Sequence, residues 1–292
     1  MKIKAYIKLI RIHHWLKNAL VFLALIFSRN LFEADLFFKT LIGFFSFSLI
    51  SSGVYIINDI FDAKKDRLHN IKKLRPIASG AISIKNAAML AIVFIIAAML
   101  LNALAANLQI SPWIFISVYL IANISYSFKL KNIPLIDVII LSSGFILRVL
   151  YGGAITQISV SNWLLLVLMS FSFFMGFGKR RNEIKTKNES ARTVLKHYKY
   201  NFLNSNLYVC LALTVMFYAM WSIDMSLNFD GKDNLVWTTF AVLFISLRYS
   251  MNIENQESAD PIDVLFGDKI LMLLIAAYAL MMFFILYGGN LL

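Results

Sequence analysis

The sequence predicts an all-α, polytopic integral membrane protein with about nine transmembrane helices, and three observations carry that prediction. Of its 292 residues, 60% are apolar and 15% are charged, and the mean hydropathy is +0.72, outside the range of soluble globular chains. A bilayer core takes roughly 20 apolar residues per helix, and such runs recur near 16–33, 36–57, 87–108, 112–128, 135–157, 160–178, 202–223, 235–251 and 270–288. Basic residues gather in alternate loops, the pattern that membrane insertion imposes on an odd number of spans.

The first run is the weakest. Lys17 and Arg29 bracket it, and both must reach back to the interfaces if it crosses; a re-entrant or interfacial helix is the alternative. The second run ends in Asn58-Asp59-Ile60-Phe61-Asp62-Ala63-Lys64-Lys65-Asp66, which hydrocarbon does not tolerate. Along the chain, the N-terminal segment and the loops after spans two, four, six and eight hold 24 of the 28 Lys and Arg, leaving Arg29, Lys39, Lys232 and the intramembrane Arg148. This places the N-terminus in the cytoplasm and the C-terminus outside, with the candidate site facing the cytoplasm. The N-terminal basic and apolar stretch has no small-residue cleavage site and is read as retained.

The net charge of +12 then reflects topology and anionic lipids or ligands, with no nucleic acid partner. The single Cys210 excludes an intrachain disulfide, and His13, His14, His69 and His197 lack zinc-ligand spacing. No linker or repeat divides the chain, so residues 1–292 are read as one integral-membrane domain.

If the second helix continues through the acidic motif, Asp59, Asp62 and Asp66 fall at i, i+3 and i+7, with Asn58 four residues before Asp62, all on one face. Such hard oxygens repel one another unless a cation neutralises them, and Mg²⁺ held by carboxylates and substrate phosphates is the usual solution. A solvated, charged membrane-surface loop is the alternative. Downstream, Pro76 and Gly80 fix turns around Arg75, which can grip a phosphate with two parallel hydrogen bonds. The next basic loop carries Tyr126, Lys129 and Lys131 and leads into Asp137. Asp137 and Arg148 lie on one face of a single helix, roughly 16 Å apart along its axis. An intramembrane arginine points either to a functional site or to a bridge between helices. Gly144, Gly152 and Gly153 suit close helix packing. Lys179, Arg180 and Arg181 with a lone Glu183 can grip phosphates, although Lys179 and Glu183 also have the spacing of a helix-surface pair. Lys185, Lys187, Lys196 and Lys199 read as surface. The block His13-His14-Trp15-Leu16-Lys17-Asn18 joins an interfacial aromatic to a cation and an amide.

Taken together, the acidic motif, the Arg75-Pro76-Ile77-Ala78-Ser79-Gly80 run and the helix pattern resemble the UbiA prenyltransferase superfamily over nearly the whole chain. Within it, Trp15-Leu16-Lys17-Asn18, Tyr126-Ser127 with Lys131, Asp137 with Ser143-Gly144-Phe145, Arg148 and Gly152-Gly153, and Gly178-Lys179-Arg180 with Glu183 resemble the decaprenyl-phosphate phosphoribosyltransferase branch. One departure separates the chain from the superfamily's aromatic prenyltransferases: their second Asp-rich motif is replaced by a basic loop offering only Glu183 and Glu189.

The resemblance implies helices surrounding a cavity open to the cytoplasm, in a bacterial inner membrane. It also implies Mg²⁺-dependent transfer of a phosphoribosyl group from 5-phosphoribose 1-diphosphate (PRPP) to a polyprenyl phosphate lipid. In that reading Asn58, Asp59, Asp62 and Asp66 hold Mg²⁺; Lys17, Arg75, Lys131, Lys179 and Arg180 grip phosphates; and Tyr126, Asp137, Arg148 and Glu183 shape the sugar and acceptor ends. The acidic-plus-glycine loop of soluble PRPP enzymes is absent, so the donor rests on the resemblance. Prenyl transfer to an aromatic acceptor and membrane transport are the alternatives, and a homo-oligomer is compatible with each.

Overall fold

The computed structural model describes residues 2–68, 72–185, 193–228, 233–255 and 261–288; Lys187, Glu189 and Lys232 lie outside them. Among the described residues every regular element is helical. Among these residues eight helical stretches are long and apolar enough to cross a membrane. The remaining sequence-predicted span, 235–251, coincides with α9 (Thr238–Asn255). Its length of about 27 Å approaches a bilayer core, but Ser246, Arg248, Ser250, Asn252 and Glu254 leave it outside the eight.

The chain divides into two compact units, one of residues 1–140 and 147–159, the other of 141–146 and 160–292. In the first, the opening span is composite. Helix α1 (Lys2–Ile10) breaks at Arg11, whose backbone is left-handed at φ 56°, and a 3-10 helix (Ile12–Phe22) and α2 (Leu23–Phe27) follow. A 3-10 helix rises ~2.0 Å per residue against ~1.5 Å for an α-helix. The 3-10 stretch and α2 thus reach ~30 Å, a bilayer core, where an α-helix of equal length would reach ~24 Å. With α1 included, the candidate span runs from Ile3 to Phe27, so the short apolar run after Lys17 is extended toward the N-terminus.

Helix α3 (Ala34–Asp66) is 33 residues long, about 50 Å, so its last turns extend beyond any hydrocarbon core. Its buried Ser46 and Gly53 allow close packing against α4 (Ile84–Ala106), where Ser46 Oγ donates to the Ala98 carbonyl at 2.7 Å, while Ser48, Ser51 and Ser52 bond the opening span. Ser83 caps α4 by accepting from the Asn86 N–H at 3.2 Å. Helices α5 (Ser111–Phe128) and α6 (Ile136–Thr156) complete this core, in which Phe47, Ile50, Ile116, Tyr119 and Tyr151 are buried together. A Cβ on Gly152 of α6 would lie 1.9 Å from the Val21 carbonyl oxygen, so the approach of α6 to the backbone of the opening span at this point requires glycine. Gly152→Ala is therefore expected to destabilise the protein by about 1–3 kcal/mol through overpacking, read as a lower melting temperature in detergent; an unchanged melting temperature would show that this approach relaxes freely.

In the second unit, α7 (Asn162–Lys185) pairs with α8 (Tyr200–Asn228), where Thr214 Oγ1 donates to Ser170 Oγ at 3.1 Å. Helix α9 meets α11 (Lys269–Tyr287), and the short α10 (Pro261–Phe266) precedes it. Asp268 caps α11 by accepting from the Ile270 N–H, and its carboxylate also accepts 2.6 Å bonds from Arg248 Nε and Asn252 Nδ2. Chiefly the Arg248 guanidinium, then the Asn252 amide, hold the Asp268 carboxyl well below the usual carboxylate range.

Candidate active site

The continuation of α3 through Asp66 places Asp59, Asp62 and Asp66 on one helix face, as the spacing requires. Each meets a cation from elsewhere in the chain. Arg11 Nη2 donates to Asp59 Oδ1 at 2.6 Å, and Arg75 Nη1 donates to the same oxygen at 3.1 Å and to Asp66 Oδ2 at 2.8 Å. Lys131 Nζ reaches Asp62 Oδ1 at 2.5 Å. Asp59 and Asp66 are buried, while a quarter of the Asp62 side chain is exposed (25%).

Local packing positions these cations. Past Arg75, Ile77, Ala78 and Ile82 are buried, with Ile77 and Ile82 packed against Ile56 and Ala63 of α3. Ser79 Oγ donates to the Pro76 carbonyl, and Gly80 turns the chain at φ 79°, a conformation that disfavours other residues. Arg67 Nε donates to the Ala78 carbonyl, tying this loop back to the end of α3. Lys131 sits in a 3-10 turn (Leu130–Asn132) after α5, and the Phe61 and Phe128 rings, 4.4 Å apart, hold that end of α5 against α3. Arg11 stands at the α1 break with its guanidinium 5.0 Å from the centre of the Tyr55 ring. Leu9 packs with Ile56 and Ala63, and Lys8 Nζ donates to the Leu74 carbonyl at 3.1 Å.

This arrangement corrects the expectation that the acidic face gathers into one hard-oxygen cluster. Among the described residues no three His, Cys, Asp or Glu side chains group to hold a metal ion. The repulsion between carboxylates is relieved by Arg11, Arg75 and Lys131 instead, because an unpaired buried charge costs far more than a paired one. Arg11 escaped the sequence reading, which counted it only toward topology. The available signal was its chemistry: it is the one guanidinium among the cations Lys2, Lys4, Lys8, Arg11 and Lys17.

Other expected residues lie in the same unit. Asn58 and Lys17 are half-buried, and Tyr126 and Asp137 are buried, Asp137 in the first turn of α6. Arg148 is buried (5% exposed). Its Nε donates to Asn18 Oδ1 at 2.7 Å and Nη2 to the Tyr119 hydroxyl at 3.4 Å, with the Phe47 and Tyr119 ring centres 4.9 and 5.1 Å from its guanidinium carbon. Asn18 in turn donates to Ser48 and Ser51. This geometry favours the bridging alternative: Arg148 joins the opening span to α3, α5 and α6.

In the second unit, Glu183 pairs with Arg180, three residues away, at 2.7 Å. Arg180 is fully buried and Lys179 half-buried. The neighbouring Arg181 bonds Asn204 at 2.6 Å and Glu254 at 3.1 Å, joining α7, α8 and α9. Lys185, Lys196 and Lys199 are exposed, in keeping with their surface reading.

Comparison with known proteins matches residues 18–267 to the UbiA prenyltransferase family. The chain is 30% identical over 291 residues to the decaprenyl-phosphate phosphoribosyltransferase of Mycolicibacterium smegmatis, covering 94% of this chain and 90% of that protein. It is 31% identical over 280 residues to the protein of the same name from Corynebacterium glutamicum, covering 93% and 83%. Among solved structures, a UbiA homologue from Archaeoglobus fulgidus bound to GPP and Mg²⁺ superposes with a TM-score of 0.71 at 20% identity, covering 95% of this chain and 99% of that one. With the all-helical architecture and its apolar spans, these likenesses show that the chain is an integral membrane protein belonging to the UbiA prenyltransferase family.

Proposed function

We propose that this protein transfers the 5-phosphoribosyl group of PRPP to a long-chain polyprenyl phosphate, releasing diphosphate, with Mg²⁺ as cofactor. The observation that carries this reading is the likeness, over more than nine-tenths of this chain, to relatives named decaprenyl-phosphate phosphoribosyltransferase. The basic stretch Lys179-Arg180-Arg181 adds support, since it stands where a second acidic motif would serve a prenyl diphosphate donor.

Two of the carboxylates support this choice of cofactor. Asp59 Oδ1 and Asp66 Oδ2 both lie within hydrogen-bonding reach of one nitrogen, Arg75 Nη1, so two hard oxygens already converge on a single positive centre. Asp59, Asp62 and Asp66, with Asn58, would hold Mg²⁺, which when bound offsets the charge of a departing diphosphate. The reaction breaks the bond from ribose C1 to the diphosphate oxygen and forms one from C1 to an oxygen of the lipid phosphate. That phosphate is already anionic, so no protein nucleophile or general base is required. Arg75 and Lys131 would exchange their carboxylate partners for phosphate oxygens, with Lys17, Lys179 and Arg180 as further phosphate ligands. Tyr126, Asp137 and Glu183 would border the sugar and acceptor, and Arg148 would act through Asn18 to position the neighbouring Lys17. The lipid tail would lie along apolar helix faces.

Release of diphosphate by detergent-purified protein tests this reading. It is expected only when PRPP and polyprenyl phosphate are both present; release that ignores the lipid phosphate would refute it. Because PRPP is water-soluble, the reading also requires a cytoplasmic site in the bacterial inner membrane. Single cysteines at Lys185 and at Asp263, which follows α9, should be labelled only from the cytoplasm, and one at Val236, which precedes α9, only from outside. Labelling of Val236 and Asp263 from the same side would show that α9 does not cross.

A further inference from the structure

We infer that Arg11 is a further donor-binding residue: it serves as resident counter-ion to Asp59 until a divalent cation arrives with a diphosphate, and then transfers its guanidinium from the carboxylate to the diphosphate oxygens. Asp59 Oδ1 accepts from two guanidinium groups, those of Arg11 and Arg75, whereas Asp66 is paired with Arg75 and Asp62 with Lys131. Every carboxylate of the face is thus already neutralised, and a divalent cation entering alone would leave uncompensated positive charge in a part-buried site. A cation entering with a polyanion restores the balance, provided a resident cation changes partners. Arg11 is better placed to do so than Arg75. Arg75 is held between two carboxylates and rooted beside the buried Ile77 and Ala78, whereas Arg11 has one carboxylate partner and rests on the Tyr55 ring. Its left-handed backbone, φ 56° and ψ 49°, takes it out of both flanking helices, the kind of strained conformation that concentrates at functional sites. A planar guanidinium also matches two phosphate oxygens at once.

The inference rests on the reading that a divalent cation and a diphosphate meet at the acidic face, but not on which group the diphosphate leaves. It is tested by measuring Mn²⁺ binding by electron paramagnetic resonance, with the full-length purified protein, alone and with inorganic diphosphate. Arg11→Gln removes the counter-ion, so Mn²⁺ alone should bind ~10-fold more tightly than to wild type, while diphosphate at saturating Mn²⁺ binds ~10-fold more weakly. A purely structural role would shift both affinities the same way. Arg11→Lys keeps the charge and loses the planar fork, so only the diphosphate affinity should fall, and this variant decides the matter if Arg11→Gln does not fold. Mn²⁺ affinity unchanged or weakened in Arg11→Gln, or diphosphate affinity unchanged in Arg11→Lys, overturns the inference and leaves the acidic-face reading intact. Wild-type protein that binds neither probe overturns both.

Discussion

Asp62→Asn is expected to lower turnover by at least ~100-fold, the scale of losing a charge that organises a catalytic metal, with thermal unfolding close to wild type. Asp62 is the cleanest position on the acidic face, being partly exposed and, among the described residues, paired with Lys131 alone. Asp59→Asn should lose as much activity and some stability too, because Asp59 is buried and its Oδ1 joins Arg11 and Arg75; an amide leaves both guanidinium groups underpaired. Initial rates across a Mg²⁺ titration, normalised to folded protein, separate the two effects. Near-wild-type turnover with unchanged Mg²⁺ dependence in Asp62→Asn would remove Asp62 from the metal site.

Arg148→Met should destabilise the protein by about 1–3 kcal/mol, since it leaves Asn18 Oδ1 and the Tyr119 hydroxyl without their donor in a buried setting. Arg148→Lys keeps the charge between the Phe47 and Tyr119 rings but cannot reproduce the fork that serves both oxygen acceptors, so a loss of ~10-fold in turnover is expected even where the variant folds. Because Arg148 bonds Asn18, the chain neighbour of Lys17, the loss should fall mainly on KM, and Asn18→Ala should reproduce it. An Arg148→Met protein that is less stable yet fully active per folded molecule would make Arg148 a brace and nothing more.

The spans, the acidic helix face and the cations Arg75 and Lys131 were legible because each depends on local spacing: apolar run length, the period of 3.6, and basic residues in alternate loops. What is not local was not legible. Asn18 and Arg148 are 130 residues apart, and nothing in either segment announces the other. The apolar run after Lys17 reads as short, and its continuation back through α1 to Ile3 is not announced by hydropathy. Glu183 has a basic residue at both three and four positions before it, and helix geometry permits either pair, so the Arg180 pair could not be read from spacing alone. For the acidic face, the sequence poses the electrostatic problem and admits both a bound metal and resident arginines as solutions; the arginines come from segments 48 and 16 residues away from Asp59.

The donor is the central claim, and transfer of label tests it most directly. Purified protein is incubated with Mg²⁺ and polyprenyl phosphate together with PRPP carrying label on its 5-phosphate, and in parallel with a labelled prenyl diphosphate and an aromatic acceptor. The account predicts lipid-extractable label from PRPP only, dependent on polyprenyl phosphate and abolished in Asp62→Asn. Label that stays water-soluble with PRPP, while the prenyl group moves to the aromatic acceptor, would contradict it and make the protein a prenyltransferase in the literal sense.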